Sequence, residues 1–177
     1  MSKDRLTAAT FEELAMPLFD QLYNFAHWLT QDRSEAEDLV QETYAKALRG
    51  FSSFQLGTNF RAWIYRILRN TFLTSRTGLK ANQPLEFEEG SEPSAGPETP
   101  ETLLLERAQH EFVQEVMADL PVNYREILLL CEVEEMSYQE IAETLSVPIG
   151  TVMSRLSRAR KTLRGRLSEK LQGKTHA

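Results

Sequence analysis

SYQEIAETLSVPIGTVMSRLSRARKTLRGR, residues Ser137 to Arg166, is laid out as a helix, a tight turn and a second, strongly basic helix. Ser137 and Glu140 have the spacing of a capping box that opens the first helix. Ile141, Ala142 and Leu145 give that helix one apolar face, with the small Ala142 where two helices can cross closely. Ser146-Val147-Pro148 ends it, and Pro148 suits the start of the next helix, where its missing N–H is not needed. In the second helix Val152, Leu156, Ala159 and Leu163 recur at helical spacing and are expected to face inward. Thr151, Ser154, Arg155, Ser157, Arg158 and Lys161 then fall on the other face. Hydroxyls and guanidinium forks on one helix face match what base edges and phosphates accept in a DNA major groove. A solvated amphipathic helix would explain the periodicity but not the charge. Arg155 to Lys170 holds seven basic residues and one acidic, in a chain of net charge -6.

Working outward, the charge is segregated. Asn59 to Lys80 carries five basic residues and no acidic one, whereas Asn82 to Thr102 carries six glutamates and no basic one. Such blocks imply separate surfaces with separate partners. Gln83 to Pro100 contains four prolines, two glycines and five glutamates, too polar a mixture to fold alone. It reads as a flexible acidic linker, residues 81–101, between an N-terminal unit, 1–80, and a C-terminal unit, 102–177. Both units are expected to be all-α. Thr10 with Glu13, and Ser34 with Glu37, have capping-box spacing, and Thr58 or Asn59 is placed to cap a third helix. The second of these helices is expected to run through Leu39, Val40, Thr43, Tyr44, Ala47 and Leu48. Beyond the linker, helices are expected from Thr102 to Asp119 and from Asn123 or Tyr124 to about Glu132. The 177 residues, 41% of them hydrophobic, suffice for two modest cores. No apolar run approaches a membrane span and no signal peptide is read at the start, so neither membrane insertion nor export is expected. The single cysteine, Cys131, lies in an apolar run, which excludes a disulfide framework and suggests a buried thiol.

Two N-terminal surfaces carry chemistry. In Asn59-Phe-Arg-Ala-Trp-Ile-Tyr-Arg-Ile-Leu-Arg-Asn70, cations alternate with aromatics, and Phe51 and Phe54 lie in the loop before it. Rings beside cations suit single-stranded nucleic acid, since bases stack at roughly 1–3 kcal/mol each while cations track phosphates. The same spacing fits core packing for Trp63, Ile67 and Phe60, which leaves Phe51, Phe54 and the arginines as the exposed candidates. On the preceding helix Glu35, Asp38 and Glu42 share a side at i, i+3 and i+7, with Gln41 close by. An acidic face repels DNA, so this one is either solvated or docks a protein.

Four segments in this order and spacing resemble the bacterial sigma-70 family, in particular its small two-domain extracytoplasmic-function (ECF) members. They are AEDLVQETY (Ala36 to Tyr44), NFRAWIYRILRN (Asn59 to Asn70), LPVNYREILLL (Leu120 to Leu130) and the helix-turn-helix itself, Ser137 to Leu163. The resemblance implies a promoter-specificity subunit of RNA polymerase, active in a stress response. Glu37, Asp38, Leu39, Gln41 and Glu42 match the motif that docks on core RNA polymerase. Phe51, Phe54, Asn59, Arg61, Trp63, Arg66 and Asn70 match the region that melts and holds the −10 element. Thr151, Ser154, Arg155, Ser157, Arg158 and Lys161 match the reading positions for the −35 element. It further implies an anti-sigma protein partner, a cytoplasmic location, and no cofactor or catalytic chemistry. Met153, Leu48 and Thr74 depart from residues frequent in the family at those places and bear on promoter preference. The rival reading is a conventional helix-turn-helix regulator that binds an operator without polymerase. An enzyme would need a cluster of acids or a metal site, and His27, His110 and His176 have no ligand spacing.

Overall fold

The computed structural model describes residues 10–77 and 100–175. The linker expected at 81–101 lies outside them except for its last two residues, which already belong to a helix. In the N-terminal half, residues 10–15 are helical (α1), and a 3-10 turn, Met16–Leu18, leads into α2 (Phe19–Thr30). Helix α3 (Arg33–Gly50), a second 3-10 turn (Phe51–Ser53) and α4 (Phe60–Thr77) follow. The C-terminal half is α5 (Pro100–Ala118), α6 (Val122–Leu128), a π turn (Leu129–Val133), α7 (Tyr138–Leu145) and α8 (Ile149–Thr175). Among the described residues there is no strand, and the chain is all-α as its periodicities require.

Local chemistry explains the boundaries. Asp32, not Ser34, caps α3: it is extended, and its carboxylate accepts from the Glu35 N–H at 2.8 Å. Gln31, left-handed at φ 58°, closes α2 just before it. At the start of α4, Asn59 is the cap, its Oδ1 accepting from the Ala62 N–H at 3.0 Å. The turn before it needs Gly57, whose φ of 90° a side chain would strain. Ser137 caps α7 as expected, accepting from the Glu140 N–H at 3.1 Å. Ser146 ends α7 in the left-handed conformation, and the Pro148 carbonyl accepts the first N–H groups of α8, from Thr151 and Val152. Helix α6 starts one residue earlier than the sequence suggests, directly after Pro121, whose fixed φ suits a helix entrance.

Helices α2, α3 and α4 pack through Leu22, Phe25, Leu29, Ala36, Val40, Ala47, Ile64, Tyr65 and Leu68, all at most 1% exposed. Each large apolar chain buried this way is worth about 1.5–3 kcal/mol. Leu48 is 53% exposed, because the apolar face of α3 ends at Ala47. In the C-terminal half Ile127, Leu130, Ile141, Leu145, Val152, Leu156 and Ala159 form the interior around the helix-turn-helix. Cys131 is half-buried beside the Arg160 guanidinium, rather than deep in that interior.

The halves are not separate beads. Their buried residues form one cluster, and α4 lies against α7. Arg125 ties the join: its guanidinium donates to the carbonyls of Met117, Ala118 and Leu120 at the end of α5, and to Leu29 at the end of α2. The last carbonyls of a helix have no partner within it and carry its negative pole, so one buried cation satisfies two helix ends at once. Trp28 of α2 meets His110 of α5 edge-on at 5.7 Å on the same seam.

Candidate nucleic-acid interface

The helix-turn-helix presents the face that its periodicity predicts. Ser154, Ser157, Arg158 and Lys161 are exposed, Thr151 is half-buried, and Val152, Leu156 and Ala159 point inward. Arg155 departs from this row: it is half-buried, and its charge lies close enough to Glu126 to favour that residue's carboxylate. Met153 stands out from the same surface at 56% exposure, an apolar side chain in the middle of a polar face.

In the N-terminal half the aromatics form one nest. Phe51 is 5% exposed, packed at 5.3 Å against Phe11 and stacked at 5.8 Å on Phe54. This corrects the expectation that Phe51 is a surface ring: its 3-10 turn swings it under the loop, where it supports Phe54. Phe60 is buried as well, whereas Trp63, expected as core, is half-exposed and lies 5.0 Å from Phe54. Phe54, Asn59, Trp63 and Arg66 line one wall of an open groove of about 700 Å³, faced by Gln139, Glu143 and the turn before α8. Asn59 enters this wall with its side-chain oxygen already committed to the helix cap, leaving its NH2 as donor. Arg66 makes no ion pair among the described residues, and Asn70 is exposed at the far end of the row. Thr74 is exposed too, its hydroxyl donating to the Asn70 carbonyl at 2.8 Å.

Two other arginines of α4, Arg61 and Arg69, are engaged across the join, while Arg76 pairs with Glu35 of α3. Arg69 forks onto Glu126 of α6, Nε to Oε2 at 2.9 Å and Nη2 to Oε1 at 3.2 Å. Arg61 Nη2 donates to the Glu134 main-chain carbonyl and, at 3.3 Å, to its carboxylate, with Glu140 at 3.9 Å from Nη1. Tyr65 donates its hydroxyl to the same Glu134 carboxylate at 2.7 Å. Burial, and then the Glu134 charge, push the Tyr65 phenol far above its ordinary range. Burial also raises the Glu126 carboxyl, against the opposing pull of Arg69. Glu126, Glu134 and Arg125 were not among the residues expected to matter. The signal was there in part: charges at the edges of the apolar run Ile127 to Val133 can be buried only if paired.

The acidic face of α3 is exposed at Glu37, Asp38, Gln41 and Glu42. Glu42 pairs with Lys46 and Glu37 with Arg33 along the helix, while Glu35 is drawn away to Arg76 of α4 at 2.9 Å. Leu39, of the same motif, is 6% exposed and belongs to the core beneath.

Comparison with known proteins supplies the frame for these surfaces. The sequence model described as Sigma-70 region 2 matches residues 14–81, and that described as Sigma-70, region 4, matches residues 111–163. The ECF RNA polymerase sigma-E factor of Haemophilus influenzae is 32% identical over 143 residues, 76% of this chain and 76% of that protein. The chain belongs to the ECF sigma factors of the sigma-70 family. The ECF RNA polymerase sigma factor SigE of Mycolicibacterium smegmatis is 33% identical over 168 residues, 94% of this chain but 65% of that protein's length. Among solved structures, the sigma factor RpoE of Bartonella quintana, in complex with the anti-sigma factor NepR, superposes with a TM-score of 0.71 at 28% identity. That match covers 90% of this chain and 97% of RpoE. In this ECF sigma factor the region 2 match thus takes in the aromatic nest, the α4 arginines and the acidic face of α3, and the region 4 match takes in the helix-turn-helix.

Proposed function

We propose that the chain is a promoter-specificity subunit that docks on core RNA polymerase and directs initiation by reading two promoter elements, in a cytoplasmic stress response. The observation that carries this reading is the order of the two matches on one chain: region 2 with an exposed acidic face and an aromatic–basic groove, then region 4 with an exposed hydroxyl–guanidinium face. Glu37, Asp38, Gln41 and Glu42 dock on the polymerase, with Leu39 holding their helix in place from below. Phe54, Trp63, Asn59, Arg61, Arg66 and Asn70 take the unpaired −10 strand, rings stacking on bases and cations on phosphates. Thr151, Ser154, Ser157, Arg158 and Lys161 lie on the duplex at −35, with Arg155 at the margin of that contact. The proposed division is a unit at 1–80, a linker at 81–101 and a unit at 102–177.

The subunit has no catalytic role of its own: the face residues bind and position, and the polymerase supplies the chemistry. A protein anti-sigma partner is inferred from the resemblance to RpoE, which was solved with one. No helix among the described residues is long and apolar enough to cross a membrane. Run-off transcription on a promoter library, with and without core polymerase, tests the reading. Promoter-specific transcripts are expected only when both proteins are present, and their absence from the complete mixture would overturn it. In the same assay Asp38→Lys with Glu42→Lys removes transcription through loss of the docked complex, since like charges set face to face cost several kcal/mol.

A further inference from the structure

We propose that Met153 is a specificity residue of the −35 contact: its exposed thioether chain, flanked by Ile149, receives the C5-methyl group of a thymine in the major groove. This rests on the function proposed above. The first observation is where the side chain stands. Helix α8 begins at Ile149, so Met153 is in its opening turns, the part of a recognition helix that meets base edges. It is 56% exposed, while Val152 before it and Leu156 beyond it are closed into the core. The rest of that outer surface, Ser154, Ser157, Arg158 and Lys161, is polar or charged.

The second observation is that Met153 has apolar company. Ile149 precedes it by four residues, which places the two side by side on the helix, and it is 47% exposed. Beside Met153 lies a shallow hollow of about 330 Å³, also lined by Tyr138, Leu156, Ser157, Arg160 and Arg164. The Arg160 guanidinium is held by the Glu132 carboxylate at 2.7 Å, so it is already engaged. The third observation concerns what the polar tips leave unread. Serine hydroxyls, guanidinium forks and ammonium groups bond to phosphates and to the polar atoms of base edges, but not to a methyl group. Thymine is the one base that presents a methyl group in the major groove. A cation at position 153 would hold phosphate or guanine. A thioether has no hydrogen to donate, and its unbranched chain adapts to an apolar partner.

The test uses the full chain with core polymerase and a promoter drawn from the transcribed library, followed by mobility shift. Each −35 thymine of the duplex is replaced in turn by deoxyuridine, which removes the methyl group and keeps every base-pair hydrogen bond. At one of these positions binding is expected to weaken about fourfold, the worth of one methyl group returned to water. With Met153→Ala in place of the unaltered chain, the same replacement is expected to change nothing. Should that variant lose helical circular dichroism, Met153→Gln, similar in length but polar, takes its place under the same criteria. Deoxyuridine tolerated at every −35 thymine overturns the proposal, as does a preferred −35 element without thymine. A penalty that persists in the Met153 variant assigns the methyl group to another residue and overturns it too. A variant that loses polymerase but keeps the penalty does the same, and makes the patch a protein contact. A promoter-specific complex that ignores the methyl groups defeats only the role of Met153; no such complex with either chain defeats the sigma reading as well.

Discussion

On α4 Arg61 and Arg69 end on carboxylates of the other half, whereas on α8 Arg158, Lys161 and their serine neighbours are exposed. Both helices carry spaced cations, and Arg61 on α4 and Arg158 and Lys161 on α8 are aimed at nucleic acid under the proposed function. The difference lies in the elements behind them. The inner face of α8 is satisfied within its own half by α6 and α7, so its outer face has nothing left to pair with. Helix α4 also presses on α7, and its cations meet Glu126 and Glu134 on the way. The −35 face of α8 is thus free of pairing from the other half, whereas on α4 Arg61 is engaged by Glu134 and Arg66 faces the open groove.

The contrast breaks most visibly at Arg69. Arg69→Ala leaves the Glu126 carboxylate buried without its fork, and about 3 kcal/mol of unfolding free energy should disappear, read by thermal or urea denaturation. The corresponding truncation on the open face, Arg158→Ala, should leave stability unchanged. It should instead cost about 1–3 kcal/mol in binding of the polymerase complex to −35 duplex, if its fork reads a base. Unchanged promoter binding would remove Arg158 from the reading set. Phe54→Ala sharpens the α4 side. It takes away the outer ring of the nest without touching α8, so permanganate reactivity of −10 thymines should fall by the loss of about 1–3 kcal/mol of stacking while −35 binding stays the same. The smallest effect concerns the seam. Burial, and then the neighbouring His110, hold the His27 imidazole below its ordinary 6.5. The unfolded chain then binds the extra proton first, so stability should decline as pH falls below about 6.5 and be flat above it. His27→Gln should flatten that slope, and an unaltered slope would assign it to another group.

Much of this was legible in the residues themselves. Ser137, the left-handed Ser146 and Pro148 mark the helix-turn-helix because capping and turn chemistry are local, and the inward row Val152, Leu156, Ala159 follows from periodicity alone. Local rules failed where two answers satisfy the same spacing. Phe51 and Trp63 both sit near a loop, and only the 3-10 turn decides that the first is buried and the second half-exposed. Leu39 belonged to a motif whose neighbours are exposed, but helical geometry turns it to the core. Asp32 took the capping role from Ser34 because the left-handed Gln31 sets the helix entrance two positions earlier than the capping-box spacing implies. The cross-half pairs were out of reach for a different reason. Arg69 and Glu126 are 57 residues apart, and Arg61 and Glu134 are 73 apart; no periodicity carries information over that distance.

The most direct measurement is the affinity of the purified full chain for a promoter duplex carrying both elements, by electrophoretic mobility shift, alone and with core RNA polymerase added. The account predicts no promoter-specific complex from the chain alone and a specific one in the presence of polymerase. Tight, sequence-specific binding by the chain alone, unchanged when polymerase is supplied, would contradict it and leave a conventional operator-binding regulator in its place.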